Sequence, residues 1–363
     1  MLSSQIYQQL HRYPELSYQE FETTKLIKQV LSDYKLDITM INPTGLIATT
    51  QTDYEQTIVF RADIDGLAIS EQTNASYSSQ NPGVMHACGH DLHIAGMLDF
   101  IAKIEFEQLA YNLIFIFQPG EEVDGGARLI LEHPLFNNHQ IVGIYGVHVW
   151  PELDYGTINL KHGPMMATNY VFELVLEGTS THCSTPHLGS EMLSLVASLI
   201  NYFNTINSKM TDLHQGVAIN IGQIAGGKQP NVTLSNMILN GTIRALNDQQ
   251  LADVVELITN FLASNCKLYN LKYCFKQTEC TYPCVENDPE LIKFHNLSAN
   301  LEQPSFAVED FGFYKQLGPT LFTFIGTRED TQMSLHSEKF LPSPNLVNVI
   351  SDYYLQLLGD YHD

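Results

Sequence analysis

The stretch from Met85 to His93 holds the densest group of side chains that could carry out chemistry. It reads Met-His-Ala-Cys-Gly-His-Asp-Leu-His, so four metal-competent side chains and one acid fall within eight residues. Cys88 and His90 lie two positions apart, and in an extended or turning backbone both can point to one side. Gly89 allows a tight bend that would bring the thiolate sulfur and the imidazole nitrogen onto one ion. The alternative is a redox-active or buried cysteine beside unrelated surface histidines.

Two adjacent carboxylates, Glu121 and Glu122, follow an apolar run and a Pro-Gly turn. At a metal centre such a pair can divide the work, because one carboxylate binds the ion while the other takes a proton from water. An isolated pair of this kind is more simply a solvated acidic turn.

Two further histidines could complete a metal site. His148 follows an apolar run, and His336 lies in the stretch Ser-Leu-His-Ser-Glu-Lys-Phe. Either one alone is more often a hydrogen-bonded structural residue. Together with Cys88, His90 and Glu122 they make five ligands, which suits two ions about 3.5 Å apart with the cysteine bridging them. A thiolate favours a borderline or soft metal, so zinc, manganese, cobalt and nickel all remain open.

Four polar residues near these ligands have less specific signals. Asp65 could fix the tautomer of a ligating histidine, or it could equally be a cap or turn residue. His86, Asp91 and His93 could support the ligands or begin a helix, where the acid would suit the positive N-terminal end.

A second group of polar residues lies far along the chain. Arg244 is a natural clamp for a carboxylate, and His182 and Asn231 are natural donors to an oxyanion. From the residues alone, each of the three is equally consistent with ordinary surface chemistry.

The elements that must position these residues alternate between apolar runs and helical patterns. The runs 57–60, 113–117 and 141–149 are typical of inner strands covered on both faces, and helical stretches at 94–104 and 127–132 lie between them. The alternation predicts an α/β fold with a largely parallel sheet. In such sheets ligands gather beyond the carboxyl ends of the strands, which is where the pattern places Asp63, Asp65, Glu121, Glu122 and His148.

From about residue 163 the pattern changes. Helical stretches at 191–206 and 248–262, with four strands around them, predict a compact α+β unit of about 115 residues. We therefore predict an inserted domain at 163–279 within a discontinuous domain at 1–162 and 280–363.

Composition excludes several classes of partner. The chain has 363 residues, 44% of them hydrophobic, and a net charge of -22. So acidic a surface repels nucleic acid and anionic lipid, so neither is expected as a partner. The first residues lack the basic region and apolar run of a signal peptide, no apolar run reaches about 18 residues, and the cysteines lack paired spacing. These features predict a cytoplasmic protein with reduced thiols and no membrane span.

Taken together, the segments resemble the dinuclear-metal amidohydrolase and peptidase family that contains hippurate hydrolase, auxin-conjugate hydrolases, aminoacylases and N-acetyldiaminopimelate deacetylase. The resemblance spans nearly the whole chain. It is carried in order by LHRYPELSYQE, RADIDGL, MHACGHDLH, FQPGEEVDGGA, GVHVWPELDYGTI, NGTIRAL, VEDFGFY and LHSEKF.

The resemblance implies a phosphorylase/hydrolase-like catalytic domain with a mostly parallel sheet and an inserted ferredoxin-like α+β domain. In the family the insert commonly mediates dimerisation or acts as a lid, which implies a homodimer or alternatively a tetramer. The resemblance also implies two divalent metal ions per subunit and Glu121 as the general base. The metal ligands that it implies are Cys88, His90, Glu122, His148 and His336, and the substrate-binding residues are His182, Asn231 and Arg244, in part across the dimer.

The resemblance implies hydrolysis of the amide bond of an N-acyl amino acid. Among relatives, the chain is most similar to deacetylases of N-acetyldiaminopimelate on the lysine route. A hippurate-type or dipeptide-cleaving enzyme is the alternative, and a non-catalytic metal or small-molecule binding protein is a third reading. The family usually has Gly-Gly-His-Ala-Ala where this chain has Ser-Thr-His-Cys-Ser at residues 180–184. That departure bears on substrate specificity rather than on hydrolysis.

Overall fold

The computed structural model describes residues 2–123, 125–212, 216–329 and 334–361. The chain divides into two compact units. Unit 1 comprises Met1–Met165, Glu286–Gln303 and Asp310–Asp363, and unit 2 comprises Met166–Val285 and Pro304–Glu309. The functional division into a catalytic domain and an inserted domain stays a prediction.

The described residues form eight α-helices: α1 (Leu2–Arg12), α2 (Phe21–Leu31), α3 (His90–Lys103), α4 (Ala127–Leu131), α5 (Met192–Thr205), α6 (Asp248–Leu268), α7 (Pro289–Phe294) and α8 (Leu346–Gly359). Over the same part of the chain, no helix is both long and apolar enough to cross a membrane.

The described residues also form thirteen strands: β1 (Leu36–Met40), β2 (Leu46–Thr50), β3 (Gln56–Asp63), β4 (Asn112–Gln118), β5 (Gln140–Asp154), β6 (Ile158–Asn159), β7 (Gly163–Met166), β8 (Thr168–Glu177), β9 (Val217–Gly226), β10 (Asn236–Ala245), β11 (Lys272–Gln277), β12 (Val285–Asn287) and β13 (Thr320–Arg328).

Unit 1 is built on a seven-stranded sheet with the order β1-β2-β4-β3-β5-β13-β6. The four inner strands β4, β3, β5 and β13 run parallel, while β1, β2 and β6 pair antiparallel towards the edges. Every residue of β4 is buried, as its apolar run predicts for a strand covered on both faces. Helix α3 packs against β3 and against α1 and α8. The predicted α/β fold with a largely parallel sheet is confirmed.

Unit 2 contains a four-stranded antiparallel sheet with the order β11-β8-β10-β9. Its elements follow one another as strand, helix, strand, strand, helix, strand, which is the ferredoxin-like arrangement. Helix α6 buries Leu251, Val254, Ile258 and Leu262, whose spacing of three and four residues forms one apolar face. The predicted ferredoxin-like α+β unit is confirmed.

Two element boundaries that matter for the site differ from the sequence prediction. Helix α3 begins at His90 rather than Ile94, because a left-handed glycine stands directly before it. Strand β5 continues to Asp154, so His148 lies inside the strand rather than just after it. Strand β1 has only Leu36 buried, and β2 has only three apolar residues before two threonines, so neither contains a long apolar run in the sequence.

Candidate metal centre

Five segments of unit 1 bring the predicted metal-site residues together. Because β3, β4 and β5 run parallel, their carboxyl ends meet at one edge of the sheet. Asp65 lies in the loop after β3, and Cys88 and His90 lie at the N-terminus of α3. Glu121 and Glu122 lie in the loop after β4, His148 lies in strand β5, and His336 lies in the loop before α8.

The sulfur of Cys88 belongs to two groups of closely spaced ligand atoms. The ligand atoms of Cys88, His90 and His148 all lie within 4.8 Å of one another, and so do those of Cys88, Glu122 and His336. Sγ of Cys88 is 3.4 Å from Nε2 of His148, and Nε2 of His336 is 3.4 Å from Oε1 of Glu122. A thiolate common to two groups of three ligands is suited to bridging two cations.

Gly89 creates the bend between Cys88 and His90. Its φ of 86° is left-handed, and it is the N-cap residue of α3. A Cβ atom at this position would also clash with the side chain of Val149. Both the backbone conformation and the close approach therefore require glycine, as the sequence spacing indicates.

Asp65 orients two of the predicted ligands at once. Its Oδ1 accepts a hydrogen bond from Nδ1 of His90 at 3.1 Å, which leaves Nε2 of the ring facing the ligand groups. Its Oδ2 accepts from the backbone N–H of Glu122 at 3.0 Å and from the hydroxyl of Ser17 at 2.6 Å. Asp65 thus fixes the tautomer of a histidine and the backbone beside a carboxylate.

Two buried polar atoms are suited to holding a cation. Among the described residues, Nε2 of His90 and Oε1 of Glu122 make no hydrogen bond of good geometry, and they lie 3.9 Å apart. A buried polar atom without a partner costs about 1–3 kcal/mol, and a cation held by both atoms would remove that cost. With the sulfur of Cys88 beside them, these donors suit a borderline divalent metal.

The charges around His90 favour a cation. Burial alone would lower the pKa of this imidazole, but the carboxylates of Asp63, Asp65 and Glu122 outweigh burial and raise the pKa to about 10. Negative charge is therefore concentrated where a metal ion would bind.

His148 is held in the form that binds metals. Burial and the nearby His93 keep the pKa of His148 well below its ordinary value. Its Nδ1–H donates to the carbonyl oxygen of Val149 at 2.7 Å, so Nε2 keeps its lone pair and faces Cys88.

His93 is occupied on both ring nitrogens. Its Nδ1–H donates to Oδ1 of Asp63 at 2.6 Å, and its Nε2 accepts from the backbone N–H of Val149 at 3.1 Å. Asp63 also accepts from Nη1 of Arg61 at 2.7 Å, and Nη2 of the same guanidinium donates to Asp310 at 2.7 Å. His93 therefore joins a buried ion-pair network beneath the strand ends.

The two remaining polar residues of the His-rich stretch differ in their surroundings. Asp91 lies in the first turn of α3, where an acid suits the helix dipole, and its Oδ2 is 2.6 Å from Nδ1 of His11. His86 is buried, and neither of its ring nitrogens has a hydrogen-bond partner in the described chain. Burial lowers the pKa of His86 to about 4, so the ring is neutral at physiological pH.

His336 has an unusual backbone conformation for a non-glycine residue. Its φ is 60°, a region in which histidine is less rare than most residues. Its backbone N–H donates to the carbonyl oxygen of Ala87 at 2.9 Å. This bond ties the loop that carries His336 to the residue that precedes Cys88.

The three predicted substrate-binding residues lie in unit 2. The backbone N–H of Cys183 donates to the carbonyl oxygen of Asn231 at 3.0 Å, so His182 and Asn231 lie on neighbouring stretches of chain. Arg244 is the second-last residue of β10. Its Nη1 donates to the carbonyl oxygen of Phe306 at 2.5 Å.

The tautomer of His182 follows from its neighbour Ser184. The backbone N–H of Ser184 donates to Nδ1 of His182 at 3.1 Å. Because a backbone N–H can only donate, Nδ1 carries the lone pair and the neutral ring carries its proton on Nε2. That proton is available to an oxyanion.

Sequence reasoning missed Ser17 and the Arg61–Asp310 ion pair. A charged residue inside an apolar strand run, such as Arg61, signals a buried partner, because an unpaired charge in a core is costly. Ser17 gave no comparable signal, since hydroxyl residues are common in turns.

The chain matches known proteins over most of its length. The model of peptidase family M20/M25/M40 matches residues 59–358. An N-acetyldiaminopimelate deacetylase of Bacillus subtilis is 33% identical over 359 residues, which cover 95% of this chain and 96% of the relative. An uncharacterized hydrolase of Staphylococcus haemolyticus is 33% identical over 368 residues, which cover 97% of this chain and 96% of the relative.

Solved structures agree with the sequence relatives. The crystal structure of a dinuclear metal binding peptidase of the M20 family from Bacillus subtilis matches with a TM-score of 0.84 at 29% identity. The match covers 98% of this chain and 96% of that one. The chain belongs to peptidase family M20/M25/M40 and is a metal-dependent amidohydrolase.

Proposed function

We propose that the chain hydrolyses the amide bond of N-acyl amino acids at a site with two divalent ions. The observation that carries this proposal is the sulfur of Cys88, which is common to two groups of three ligand atoms. The ligands we assign are Cys88, His90, Glu122, His148 and His336, with Glu121 as the general base.

The metal supplies the part of the chemistry that side chains do poorly. When bound, two ions provide Lewis acidity that polarises a carbonyl group and lowers the pKa of water. The protein's part is to hold the ligands still. Asp65 does so for His90 and for the backbone of Glu122, through the hydrogen bonds described above.

Glu121 moves the proton. Its side chain is buried, and a carboxylate oxygen lies within 4.8 Å of ligand atoms of His90 and Glu122. It accepts a proton from the attacking water and returns it to the departing amine nitrogen, because an amine is a poor leaving group until it is protonated.

Residues of unit 2 hold the substrate in this proposal. Nε2–H of His182 donates to the oxyanion that develops on the acyl carbonyl, and Asn231 assists beside it. Arg244 binds the carboxylate of the amino-acid half with the N–H groups that its bond to Phe306 leaves available.

The substrate that we favour is N-acetyldiaminopimelate. Its support is the name of the Bacillus subtilis relative, which is 33% identical over 95% of this chain. An N-acetyl amino acid also presents the carboxylate that Arg244 would clamp.

A substrate panel tests the proposal. Protein loaded separately with zinc, manganese, cobalt or nickel is assayed on N-acetyldiaminopimelate, other N-acetyl amino acids, hippurate and dipeptides. We expect the highest kcat/KM on N-acetyldiaminopimelate. A preference for hippurate or dipeptides would contradict the proposed substrate but would leave amide-bond hydrolysis supported. Binding without cleavage of any compound would contradict both the proposed substrate and the proposed hydrolysis.

The role of Glu121 has its own test. Glu121→Gln keeps the size of the side chain but cannot take up a proton, so turnover should fall by about 10²–10⁴-fold while metal content stays at the wild-type level. Glu290→Gln, on the exposed face of α7, is the matched control. Unchanged turnover in Glu121→Gln would refute its role as base.

A further inference from the structure

The segment from His11, in the last turn of α1, to Glu20, directly before α2, is called the N-terminal turn below. It contains none of the proposed ligands and none of the proposed substrate-binding residues. Its residues nevertheless contact three of the five segments that form the metal centre.

The first contact is with the loop after β3. The hydroxyl of Ser17 donates to Oδ2 of Asp65 at 2.6 Å, on the carboxylate that also binds Nδ1 of His90. The next residue in that loop is held as well, because the backbone N–H of Gly66 donates to the carbonyl oxygen of Glu15 at 2.7 Å. A hydroxyl, a carboxylate and an imidazole thus lie in one hydrogen-bonded row.

The second contact is with the loop after β4. Glu20 is fully buried, and its Oε1 accepts from the backbone N–H of Gly120 at 2.9 Å. Its other oxygen accepts from the hydroxyl of Thr44 at 2.5 Å. Gly120 immediately precedes Glu121, and a Cβ on this glycine would lie 2.5 Å from the ring of Tyr18. The N-terminal turn therefore packs tightly against the backbone that leads into the proposed base.

The third contact is with the first turn of α3. His11 lies between two carboxylates, with Nδ1 at 2.6 Å from Asp91 and Nε2 at 3.3 Å from Glu71. All three side chains are almost completely buried. Since a carboxylate can only accept, the ring donates from both nitrogens and is held as a cation. Asp91 is the residue that follows His90.

We propose that the N-terminal turn is the positioning element of the metal centre. Ser17 acts through Asp65 on His90, Glu20 acts through Gly120 on Glu121, and His11 acts through Asp91 on the start of α3. The inference rests on the proposed ligands and base. Its physical reason is that ligands on separate loops keep a common geometry only when a shared neighbour restrains each loop.

Ser17 is tested by metal affinity rather than by turnover. Metal-free protein is titrated with Co²⁺, followed by its visible absorption and its thiolate charge-transfer band. Ser17→Ala should bind Co²⁺ about 3- to 10-fold more weakly, less than the 10–100-fold typical for a group that touches a ligand. Ser17→Thr keeps the hydroxyl and should restore the affinity.

The matched control is Ser32→Ala, which removes an exposed hydroxyl that donates to the carbonyl oxygen of Gln29 at 2.6 Å. The melting temperature of each metal-free variant shows whether the fold is intact. Equal Co²⁺ affinity in Ser17→Ala, Ser32→Ala and the wild type would overturn the role of Ser17.

Glu20 is tested by separating kcat from KM. Glu20→Met removes the two carboxylate oxygens that accept from the N–H of Gly120 and the hydroxyl of Thr44. We expect kcat to fall about 10-fold and KM to stay within about twofold, because the base is misplaced and the substrate is not. Glu20→Gln keeps an acceptor and should recover most of kcat. Glu22→Gln, two residues further along and exposed, is the control. An equal change in kcat for Glu20→Met and Glu22→Gln would overturn this part.

One reference variant separates a failure of the proposed ligand set from a failure of the proposed positioning role. His90→Asn should abolish Co²⁺ binding to one of the two positions whatever the N-terminal turn does. If it leaves Co²⁺ binding unchanged, the proposed ligand set fails. If it weakens binding while Ser17→Ala does not, the ligand set stands and only the positioning role of Ser17 fails. Because the Co²⁺ titration needs no substrate, it decides this even if no acyl amino acid is cleaved.

Discussion

The functional side chains of the two units differ in how firmly they are held. In unit 1, His90 and Asp65 are buried; His90 donates to Asp65, and Asp65 also accepts from the hydroxyl of Ser17 and the backbone N–H of Glu122. In unit 2, His182 and Asn231 are exposed, and a few local backbone bonds set their positions. Residues that are fixed from several sides suit chemistry with strict geometry, whereas exposed loop residues can vary with the substrate. The contrast supports assigning the proposed hydrolytic chemistry to the buried side chains and the proposed substrate selection to the exposed ones.

The units also differ in where they place charge. Beneath the strand ends of unit 1, the guanidinium of Arg61 lies between Asp63 and Asp310, and His11 lies between Asp91 and Glu71. The core of unit 2 is an apolar cluster built largely from α5, α6 and one face of the sheet. We therefore expect pH to act on the stability of unit 1 through these buried ion pairs.

The largest effect should come from the shared ligand. Cys88→Ala removes an atom common to both ligand groups, so metal content should fall below two ions per chain. The loss of several kcal/mol of charge stabilisation corresponds to about 10³-fold in turnover. Cys274→Ala, at an exposed position of β11 in unit 2, is the control. Metal analysis and steady-state kinetics measure both, and equal metal content in the two variants would contradict the bridging role.

The second effect is a pH dependence of the stability of unit 1. Burial alone would lower the pKa of His11, but hydrogen bonds to Asp91 and Glu71 outweigh it and raise the pKa to about 9. A pKa raised on folding contributes stability that is complete below the unfolded value of 6.5 and is lost as pH rises through about 9. The free energy of unfolding should therefore fall by on the order of 2 kcal/mol over this interval, and His11→Asn should remove the fall.

The measurement uses the fluorescence of Trp150, the single tryptophan of the chain, which lies in β5 and so reports on unit 1.

At acid pH the same ion pair has the opposite effect, because stability is lost as pH falls. Burial alone would raise the pKa of Glu71, but its hydrogen bonds to His11 and Thr73 lower the pKa to about 2. Its contribution is present above 4.5 and is lost as pH falls through about 2. A slope between pH 6.5 and 9 that persists unchanged in His11→Asn would exclude the ion pair as its source.

The smallest effect should come from unit 2. Arg244→Gln removes a charge-assisted contact to the substrate carboxylate, so KM should rise about 10-fold with little change in kcat. A substrate whose carboxylate is converted to an amide should lose this discrimination. Lys267→Gln, which removes a positive charge from α6, is the control. An equal rise in KM for the acid and its amide would show that Arg244 does not bind the carboxylate.

The elements that carry the metal site were predictable to different degrees. The inner strands β3, β4 and β5 follow from continuous apolar runs, because burial on both faces demands them. The start of α3 at His90 could not be predicted from the sequence, since it depends on the left-handed conformation of Gly89 and on the close approach of Val149. Strands β1 and β2 could not be predicted for a different reason, because β1 is a largely exposed edge strand and β2 has a short apolar run that pairing with β1 and β4 completes.

The amino-acid sequence by itself determined the residue types available for chemistry, the α/β class and the order of the elements. These depend on local pattern, and local pattern is what a sequence displays. Only the tertiary structure decided that one sulfur is shared by two ligand groups, that Nε2 of His90 faces them, and that Ser17 supports Asp65. Those facts depend on contacts between segments tens to hundreds of residues apart, and only the packed sheet and helices specify such contacts.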